Sequence, residues 1–332
     1  MKLRPIGALI GATVVSTVLG SAGVAAPALA APQGGTQIVS TTSTGPTSMS
    51  VIVHSASMNR DIPLSVLKPK DTSKPRGVFY LLNGAGGGED SANWFANTDI
   101  INFFAQKNVW VVVPEKGIYS YYTDWEKTDP KLGIYKWSTF LGEELPPAFN
   151  AKFKTSGKNI LAGISTSATS VLNLAIEYPK LFSAVGAYSG CASTSTPEGQ
   201  TYVRLVVEGR GGTKATNMWG PYNSAGWVDH DPVVNAAKLR GTRLYLSAGT
   251  GLPGPHDSPN QFQSVDDYID RVALGGGIEA ATRICTQNLA QRLADLKIPA
   301  TVDFPAVGTH SWGYWQDELH KSWPILSRGI VG

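Results

Sequence analysis

The segment at residues 159–178, NILAGISTSATSVLNLAIEY, constrains the fold more than any other part of the chain. Residues 160–164 are a short apolar run of the kind found in buried strands, and apolar residues at helical spacing follow from Val171. Ser165 therefore lies where a strand turns sharply into a helix, which is the context of a nucleophile elbow. The usual pattern is G-x-S-x-G, but here Ser167 takes the last place. A helix N-cap at Ser165 is the alternative interpretation.

Strand and helix patterns alternate along most of the chain, which predicts an α/β protein with a mostly parallel central sheet and helices on both faces. Two early strands, at residues 50–54 and 62–67, predict a hairpin. Residues 190–230 are rich in Gly, Pro, Asn and Trp and show little strand pattern, so we expect a long insertion there, near the active site, that serves as a lid or substrate-binding cap. Further strands are predicted at 77–83, 109–114, 183–189, 243–248 and 300–304, and a helix at 137–153.

The N-terminus has the pattern of a secretory signal peptide. A basic start and an apolar core over residues 6–20 precede small residues that end at Ala30. We therefore expect a signal peptide over residues 1–30, cleaved near Ala30, and a protein that is secreted or held in the cell envelope. A flexible leader rich in Ser, Thr and Gly is predicted at 31–49, and a single α/β-hydrolase domain at 50–332.

Charge and cysteine content narrow the classes of partner. The chain has 28 Lys and Arg against 25 Asp and Glu. Removal of Lys2 and Arg4 with the signal peptide leaves 26 basic against 25 acidic residues, and this near-neutral balance argues against a nucleic-acid partner. Cys191 and Cys285 are the two cysteines, and in an exported protein they predict a disulfide, with two buried thiols as the alternative. No C-x-x-C or H-E-x-x-H pattern occurs, so a metal site is not expected.

The remaining catalytic groups are expected after Ser165, because an α/β-hydrolase triad follows the order serine, acid, histidine. His310 directly follows the last predicted strand, where the base should lie; a hydrogen-bonded loop histidine is the alternative. A glycine-rich loop at 83–88 follows a buried strand, and the amides of Ala85 and Thr166 are the expected oxyanion donors. Spacing alone does not choose the acid among Asp257, Asp266, Asp267, Asp270, Glu279 and Asp303. The position of Glu279 after three glycines predicts a loop-to-helix corner that could aim it inward.

Several ordered motifs resemble the secreted mycolyltransferases of the antigen 85 type, from about residue 50 onwards. The resemblance is carried by Leu81-Leu82-Asn83-Gly84, Asp124-Trp125, Tyr135-Lys136-Trp137, Thr139-Phe140-Leu141, Glu144-Leu145-Pro146, Met218-Trp219-Gly220-Pro221, Asp231-Pro232, Gly308-Thr309-His310-Ser311-Trp312 and Tyr314-Trp315. It implies an α/β-hydrolase fold without metal or organic cofactor. It also implies that Glu279 is the acid, since Glu279 and Arg283 match the family's Glu and the Arg four residues on, and that Trp312 lies beside the sugar site.

The resemblance further implies transfer of a mycoloyl chain from a trehalose mycolate to a hydroxyl acceptor, with peripheral contact to the mycomembrane or cell wall. Well-known members carry an Asp and an Arg that hold trehalose where this chain has Asn83 and Gly86. This departure is expected to weaken sugar binding there and looks more like the corynebacterial branch. The acceptor then stays open among trehalose, cell-wall arabinogalactan and a protein serine. A secreted carboxylesterase and a non-catalytic envelope or matrix adhesin are the competing functions; aromatic loops around Trp125, Trp219 and Trp312 favour a sugar acceptor.

Overall fold

A nine-stranded sheet forms the centre of the molecule, with strands in the order β1-β2-β3-β5-β4-β6-β7-β8-β9. The computed structural model describes residues 35–261 and 264–331, so the predicted signal peptide at 1–30 lies outside the described residues. The strands are β1 Gln37–Ser43, β2 Ser48–Ser55, β3 Arg60–Leu67, β4 Gly77–Leu82, β5 Val109–Pro114, β6 Asn159–Ile164, β7 Phe182–Tyr188, β8 Arg243–Ser247 and β9 Ala300–Asp303. The pairs β1–β2, β2–β3 and β3–β5 are antiparallel. The pairs β5–β4, β4–β6, β6–β7, β7–β8 and β8–β9 are parallel.

The flexible leader predicted at residues 31–49 is wrong for residues 37–43, which form a strand; residues 31–34 lie outside the described residues. Gln37–Ser43 pair with β2 in an antiparallel register and form one edge of the sheet. Six of these seven residues are exposed, so the strand buries almost no side chains and is held by its backbone pairing. An edge strand of this kind gives no hydrophobic alternation that a sequence pattern could reveal.

Helices cover both faces of the sheet, as the alternating patterns predicted. They are α1 Trp94–Asn97, α2 Ile100–Phe104, α3 Trp137–Thr139, α4 Leu145–Phe153, α5 Thr166–Glu177, α6 Pro197–Arg204, α7 Thr216–Trp219, α8 Ala225–Asp229, α9 Val265–Ile269, α10 Gly276–Asp295 and α11 Trp312–Leu326. A π-type turn at Phe140–Glu144 joins α3 to α4, so the helix predicted at 137–153 is present with one wide turn. None of the helices in the described ranges is long and apolar enough to cross a membrane.

The central strands bury both faces. Along β4, Tyr80 and Leu82 join one hydrophobic cluster, whereas Phe79 and Leu81 join the cluster on the opposite face. The first cluster includes side chains from α4, α5, α10 and the insertion, and the second includes side chains from α1, α2 and α11. Because parallel strands place their carboxyl ends at one edge, the loops after β4, β6, β7, β8 and β9 converge there.

Candidate active site

Ser165 occupies a strained turn between β6 and α5. Its backbone has φ 55° and ψ −124°, a conformation that a non-glycine residue rarely adopts, and its amide donates a hydrogen bond to the carbonyl of Tyr188 at 2.9 Å. A Cβ added at Gly163 would lie 2.7 Å from the carbonyl oxygen of Ser167, so only glycine fits two residues before the turn. The sharp strand-to-helix turn expected from the sequence is therefore present.

The structure explains why serine replaces the last glycine of the usual motif. Ser167 is fully buried, and its Oγ lies 2.9 Å from the carbonyl oxygen of Ile164 and 3.3 Å from that of Leu82. The same hydroxyl oxygen accepts a hydrogen bond from the Ile164 amide at 2.9 Å. The side chain therefore fastens the end of β6 to the start of α5.

Three side chains from distant parts of the chain form a continuous hydrogen-bonded relay. The Ser165 hydroxyl lies 2.9 Å from Nε2 of His310, and Nδ1 of His310 lies 2.8 Å from Oε2 of Glu279. Glu279 and the His310 side chain are 2% and 11% exposed. An ionised carboxylate only accepts hydrogen bonds, so Nδ1 carries the proton and Nε2 is left to accept from the serine hydroxyl. This arrangement can remove the hydroxyl proton as Oγ attacks an electrophile.

The other oxygen of Glu279 has its own donors. Oε1 accepts hydrogen bonds from the Ser189 hydroxyl at 2.7 Å and from the Gly249 amide at 2.6 Å. The indole Nε1 of Trp315 donates to Oγ of Ser189 at 3.1 Å, and the same indole packs edge-to-face on the His310 ring. Ser189, Gly249 and Trp315 were not predicted from the sequence to have this role. Ser189 directly follows β7 and Gly249 lies two residues after the end of β8, and these positions are the signal that could have pointed to them.

The glycines before Glu279 do not form the loop-to-helix corner that the sequence suggested. Helical backbone runs from α9 through a π-type turn at Asp270–Gly275 into α10, which begins at Gly276. Glycine is required at Gly276, because an added Cβ would lie 2.5 Å from the carbonyl oxygen of Gly251. The helix thus runs closely past the loop after β8, and its first α-helical turn after the π-type segment aims Glu279 inward.

The glycine-rich loop after β4 lies beside the elbow. A Cβ added at Gly84 would lie 3.5 Å from Cβ of Ser165, and one added at Gly87 would lie 2.1 Å from the backbone nitrogen of Ile118. Within residues 35–261 and 264–331, the amides of Ala85 and Thr166 donate no hydrogen bond. Both amides are therefore available to a ligand atom, as an oxyanion hole requires.

The two cysteines form a disulfide, as the sequence predicted. Cys191 follows β7 and Cys285 lies in α10, so the bond ties the helix that carries Glu279 to a loop near Ser165. The hydroxyl of Thr286 lies 3.3 Å from the carbonyl oxygen of Gly190 in the same contact.

A cavity of about 180 Å³ lies behind Glu279. Its wall includes Ser189 and Trp315 as well as the buried carboxyl of Glu318. Burial raises the pKa of Glu318 above its usual range, although Lys321 and Tyr245 donate hydrogen bonds to the carboxylate. A second carboxyl therefore lies near the relay without touching it.

The chain is similar to known proteins over most of its length. The Esterase family model matches residues 55–325. Diacylglycerol acyltransferase/mycolyltransferase Ag85A of Mycobacterium tuberculosis is 32% identical over 99% of this chain and 92% of that protein. The Mycobacterium leprae Ag85A is also 32% identical, over 83% of this chain and 81% of its own length. The crystal structure of M. tuberculosis MPT51 superposes with a TM-score of 0.72 at 27% identity, covering 87% of this chain and all of that one.

The chain belongs to the Ag85 mycolyltransferase family. The α/β-hydrolase fold expected from the resemblance is thereby confirmed. Glu279, which the resemblance implied as the acid, lies 2.8 Å from Nδ1 of His310. Arg283, one helical turn on, donates hydrogen bonds to the carbonyls of Ala248 and Pro305 and so fastens α10 to the loops after β8 and β9.

The residues expected to contact a sugar occupy different environments. Asn83 is fully buried: its Nδ2 donates to the carbonyl of Pro114 at 3.3 Å and its Oδ1 accepts from the Trp94 amide at 3.2 Å. This side chain therefore fastens the glycine-rich loop and offers no surface to an acceptor. A Cβ at Gly86 would lie 2.6 Å from a carboxylate oxygen of Asp90. An acidic side chain therefore borders position 86.

The aromatic residues need a further correction. Trp125 and Trp219 are each 1% exposed and belong to the core, so they cannot form the sugar-stacking surface that the sequence suggested. Trp312, two residues after His310, is partly buried and packs edge-to-face on Trp94 and Trp315. Of these three tryptophans, only Trp312 retains surface beside the relay.

The insertion at 190–230 is helical and well packed. It contains α6, α7 and α8, and its side chains Val203, Val207, Met218 and Trp227 are buried in the core cluster. The backbone amide of Glu126 donates to the Met218 carbonyl at 3.0 Å, so the insertion also pairs with the aromatic loop before it.

Proposed function

We propose that Ser165, His310 and Glu279 are the nucleophile, general base and orienting carboxylate of a serine acyltransferase. The observation that carries the proposal is the relay itself, with its two hydrogen bonds of 2.9 and 2.8 Å. A buried carboxylate paired to an imidazole, which faces a serine hydroxyl on a strained turn, is the arrangement that serine acyl transfer needs.

The reaction proceeds in two steps, acylation of Ser165 and then transfer of the acyl group to an acceptor. Nε2 of His310 takes the hydroxyl proton as Oγ of Ser165 attacks the ester carbonyl of the donor, and the tetrahedral oxyanion accepts hydrogen bonds from the amides of Ala85 and Thr166. His310 then gives its proton to the leaving alcohol, and an acyl-serine ester remains. In the second step an acceptor hydroxyl loses its proton to His310 and attacks the acyl carbonyl, and His310 returns that proton to Oγ of Ser165 as the acyl–serine bond breaks. Removal of one oxyanion donor typically costs about 2.7–4 kcal/mol of barrier.

The family assigns a lipid acyl donor and a hydroxyl acceptor in general. We propose a trehalose mycolate as the donor, by analogy with the mycolyltransferases named above, and a sugar or protein hydroxyl as the acceptor. The Asp90 carboxylate beside Gly86 supports an acceptor site that differs from that of members with Asp and Arg at positions 83 and 86. We also propose export through the N-terminal signal peptide, in keeping with the disulfide.

Mass spectrometry of the mature protein tests this function directly. Incubation with trehalose monomycolate should add one mycoloyl group at Ser165, and Ser165→Ala should abolish the adduct while leaving the unfolding transition intact. Trehalose, an arabinan oligosaccharide and a serine peptide are then added separately, and the natural acceptor class should discharge the adduct to a new ester. Discharge by water alone would instead indicate a carboxylesterase. A parent protein that forms no adduct with any ester would favour a binding protein over an enzyme.

A further inference from the structure

The helix that leads to Glu279 presents an apolar stripe to solvent. Over α9 and the π-type turn that follows, residues 265–275, no side chain is buried. Val265, Ile269, Leu274 and Ile278 are 72%, 52%, 66% and 39% exposed. We call these four residues the apolar stripe. Large apolar side chains grouped in this way on a surface mark an interaction site more often than scattered single ones do.

Backbone geometry places the four side chains in succession along one side of the helix. Val265 and Ile269 are four residues apart in an α-helix, and so are Leu274 and Ile278 across the start of α10. The interval from Ile269 to Leu274 is five residues, and it falls in the π-type turn, whose wider repeat matches that spacing. The wide turn therefore keeps the stripe continuous where a regular α-helix would rotate it away.

The stripe is continuous with the relay. The carbonyl of Gly275 accepts a hydrogen bond from the His310 amide at 3.2 Å, so Leu274 lies next to the loop that carries the base. The carbonyl of Leu252, a residue 59% exposed, accepts a hydrogen bond from the Gly308 amide of the same loop at 2.8 Å. Two exposed apolar residues, Leu274 and Leu252, thus lie beside the loop that carries His310.

We propose that the apolar stripe docks the enzyme onto the surface of a neutral lipid aggregate, with the entrance to Ser165 facing the lipid. This inference rests on the proposed function, because an ester carbonyl of a long-chain lipid has to reach Oγ of Ser165 from an aggregate. Charge selects the headgroup: residues 265–275 carry three Asp and one Arg. A helix of this sign is repelled by anionic lipids and gains nothing from a negative surface, so neutral headgroups fit it best.

Vesicle co-sedimentation of the mature chain tests the docking. The parent should partition onto phosphatidylcholine vesicles, and phosphatidylglycerol should not strengthen the binding. The double variant Ile269→Ser/Leu274→Ser should lower the partition coefficient at least about tenfold, because interfacial affinity scales with the apolar area that is buried. The matched control is Leu205→Ser/Val234→Ser, at positions 59% and 49% exposed outside the stripe, which should bind as the parent does.

Three results would overturn the proposal: no partition of the parent, equal losses in the stripe and control variants, or binding that requires phosphatidylglycerol. A concentration-dependent dimer that only the stripe variant loses would assign the stripe to a second copy of the chain instead.

Activity measurements keep this inference separate from the proposed function. The stripe variant should turn over a soluble short-chain ester at the parental rate but transfer less acyl chain from vesicle-embedded trehalose monomycolate. Ser165→Ala should bind vesicles as the parent does. A parent that binds vesicles but forms no acyl-serine would refute the function alone. An active parent whose stripe variant keeps its vesicle binding would refute the docking alone.

Discussion

Ser165 shows how one strained residue organises the site. A non-glycine residue in its conformation costs on the order of 1–3 kcal/mol, and the surrounding hydrogen bonds hold it there. The Ser165 amide bonds to β7 through Tyr188, and Ser167 fastens the following helical turn to β6. The hydroxyl is consequently lifted from the sheet edge towards Nε2 of His310 without a flexible segment between them.

The carboxylate of Glu279 should be required in its charged form. Glu279→Gln preserves the shape but replaces one acceptor oxygen with an amide donor, which disfavours the His310 tautomer that accepts the serine proton. By analogy with carboxylate-to-amide changes in serine triads, we expect kcat to fall by about 10³–10⁴-fold. The measurement is release of p-nitrophenol from a soluble ester. Glu318→Gln is the control, because that buried carboxylate does not touch the relay; a loss below about tenfold for Glu279→Gln would exclude Glu279 as the acid.

Ser189 should act as a positioning residue for Glu279. Ser189→Ala removes one donor from Oε1 and leaves the indole of Trp315 without its acceptor, at a cost of roughly 1.5–3 kcal/mol for a charged hydrogen bond. We expect kcat to fall about 10- to 100-fold while KM for a soluble ester changes little. Trp315→Phe keeps the ring against His310 and should have a smaller effect.

Ser322→Ala provides the structural control for Ser189. This buried hydroxyl bonds to Tyr188 away from the relay, so its loss should alter stability without altering kcat. Equal kcat values for Ser189→Ala and Ser322→Ala would show that Ser189 has no positioning role.

At the scale of elements, the helix from α9 to α10 connects the surface to the catalytic acid. Its π-type turn widens the backbone just before Glu279, and such turns often occur at functional sites. The disulfide from Cys285 and the hydrogen bonds of Arg283 fix α10 beyond this turn. The acid therefore lies on a segment held rigidly at one side, while the segment before it is exposed.

Two neighbouring glycines in α10 provide a matched test of this arrangement. Gly276→Ala introduces a Cβ 2.5 Å from the Gly251 carbonyl oxygen, so the helix must shift away from the loop after β8. We expect lower stability and lower kcat, although alanine favours helix by about 1 kcal/mol. Gly277→Ala meets nothing within 4 Å and should stabilise the fold by about 0.4–1 kcal/mol with kcat unchanged. Urea unfolding and ester hydrolysis measure both effects, and identical behaviour of the two variants would contradict the close contact.

At the scale of the whole molecule, patterns that are local in sequence were the ones that predicted structure correctly. The strand-to-helix change around Ser165 and the position of His310 after the last strand could be seen in short segments. The choice of Glu279 depends on contacts with Ser189 and Gly249, which are 90 and 30 residues away, and spacing cannot reveal such contacts.

The sequence also did not predict which loop residues are buried. Trp219 lies in a Gly- and Pro-rich segment that resembles an exposed loop, yet its indole donates to Thr123 and packs on Trp227 in the core. The edge strand β1 escaped detection for the opposite reason, since it buries almost nothing. Tertiary contacts thus decide both the burial of Trp219 and the pairing of β1, and local composition does not reveal either.

The packing of the insertion on the rest of the molecule should depend on pH through His230. Burial lowers the pKa of His230, but the facing carboxylate of Glu177, 3.4 Å away at the end of α5, raises it, and with smaller contributions from the Gly226 carbonyl and Asp229 the pKa is raised overall. The folded pKa of His230 lies above the ordinary value of about 6.5. The ion pair between protonated His230 and the Glu177 carboxylate therefore stabilises the fold fully below about pH 6.5, and this contribution is lost as the pH rises through the folded pKa. Glu177→Gln should therefore lower the free energy of unfolding at pH 5.5 more than at pH 8.5, measured by urea titration. His230→Asn should abolish the pH dependence of the Glu177→Gln effect; a difference between parent and Glu177→Gln that stays constant over this range would show that the pair does not hold the insertion.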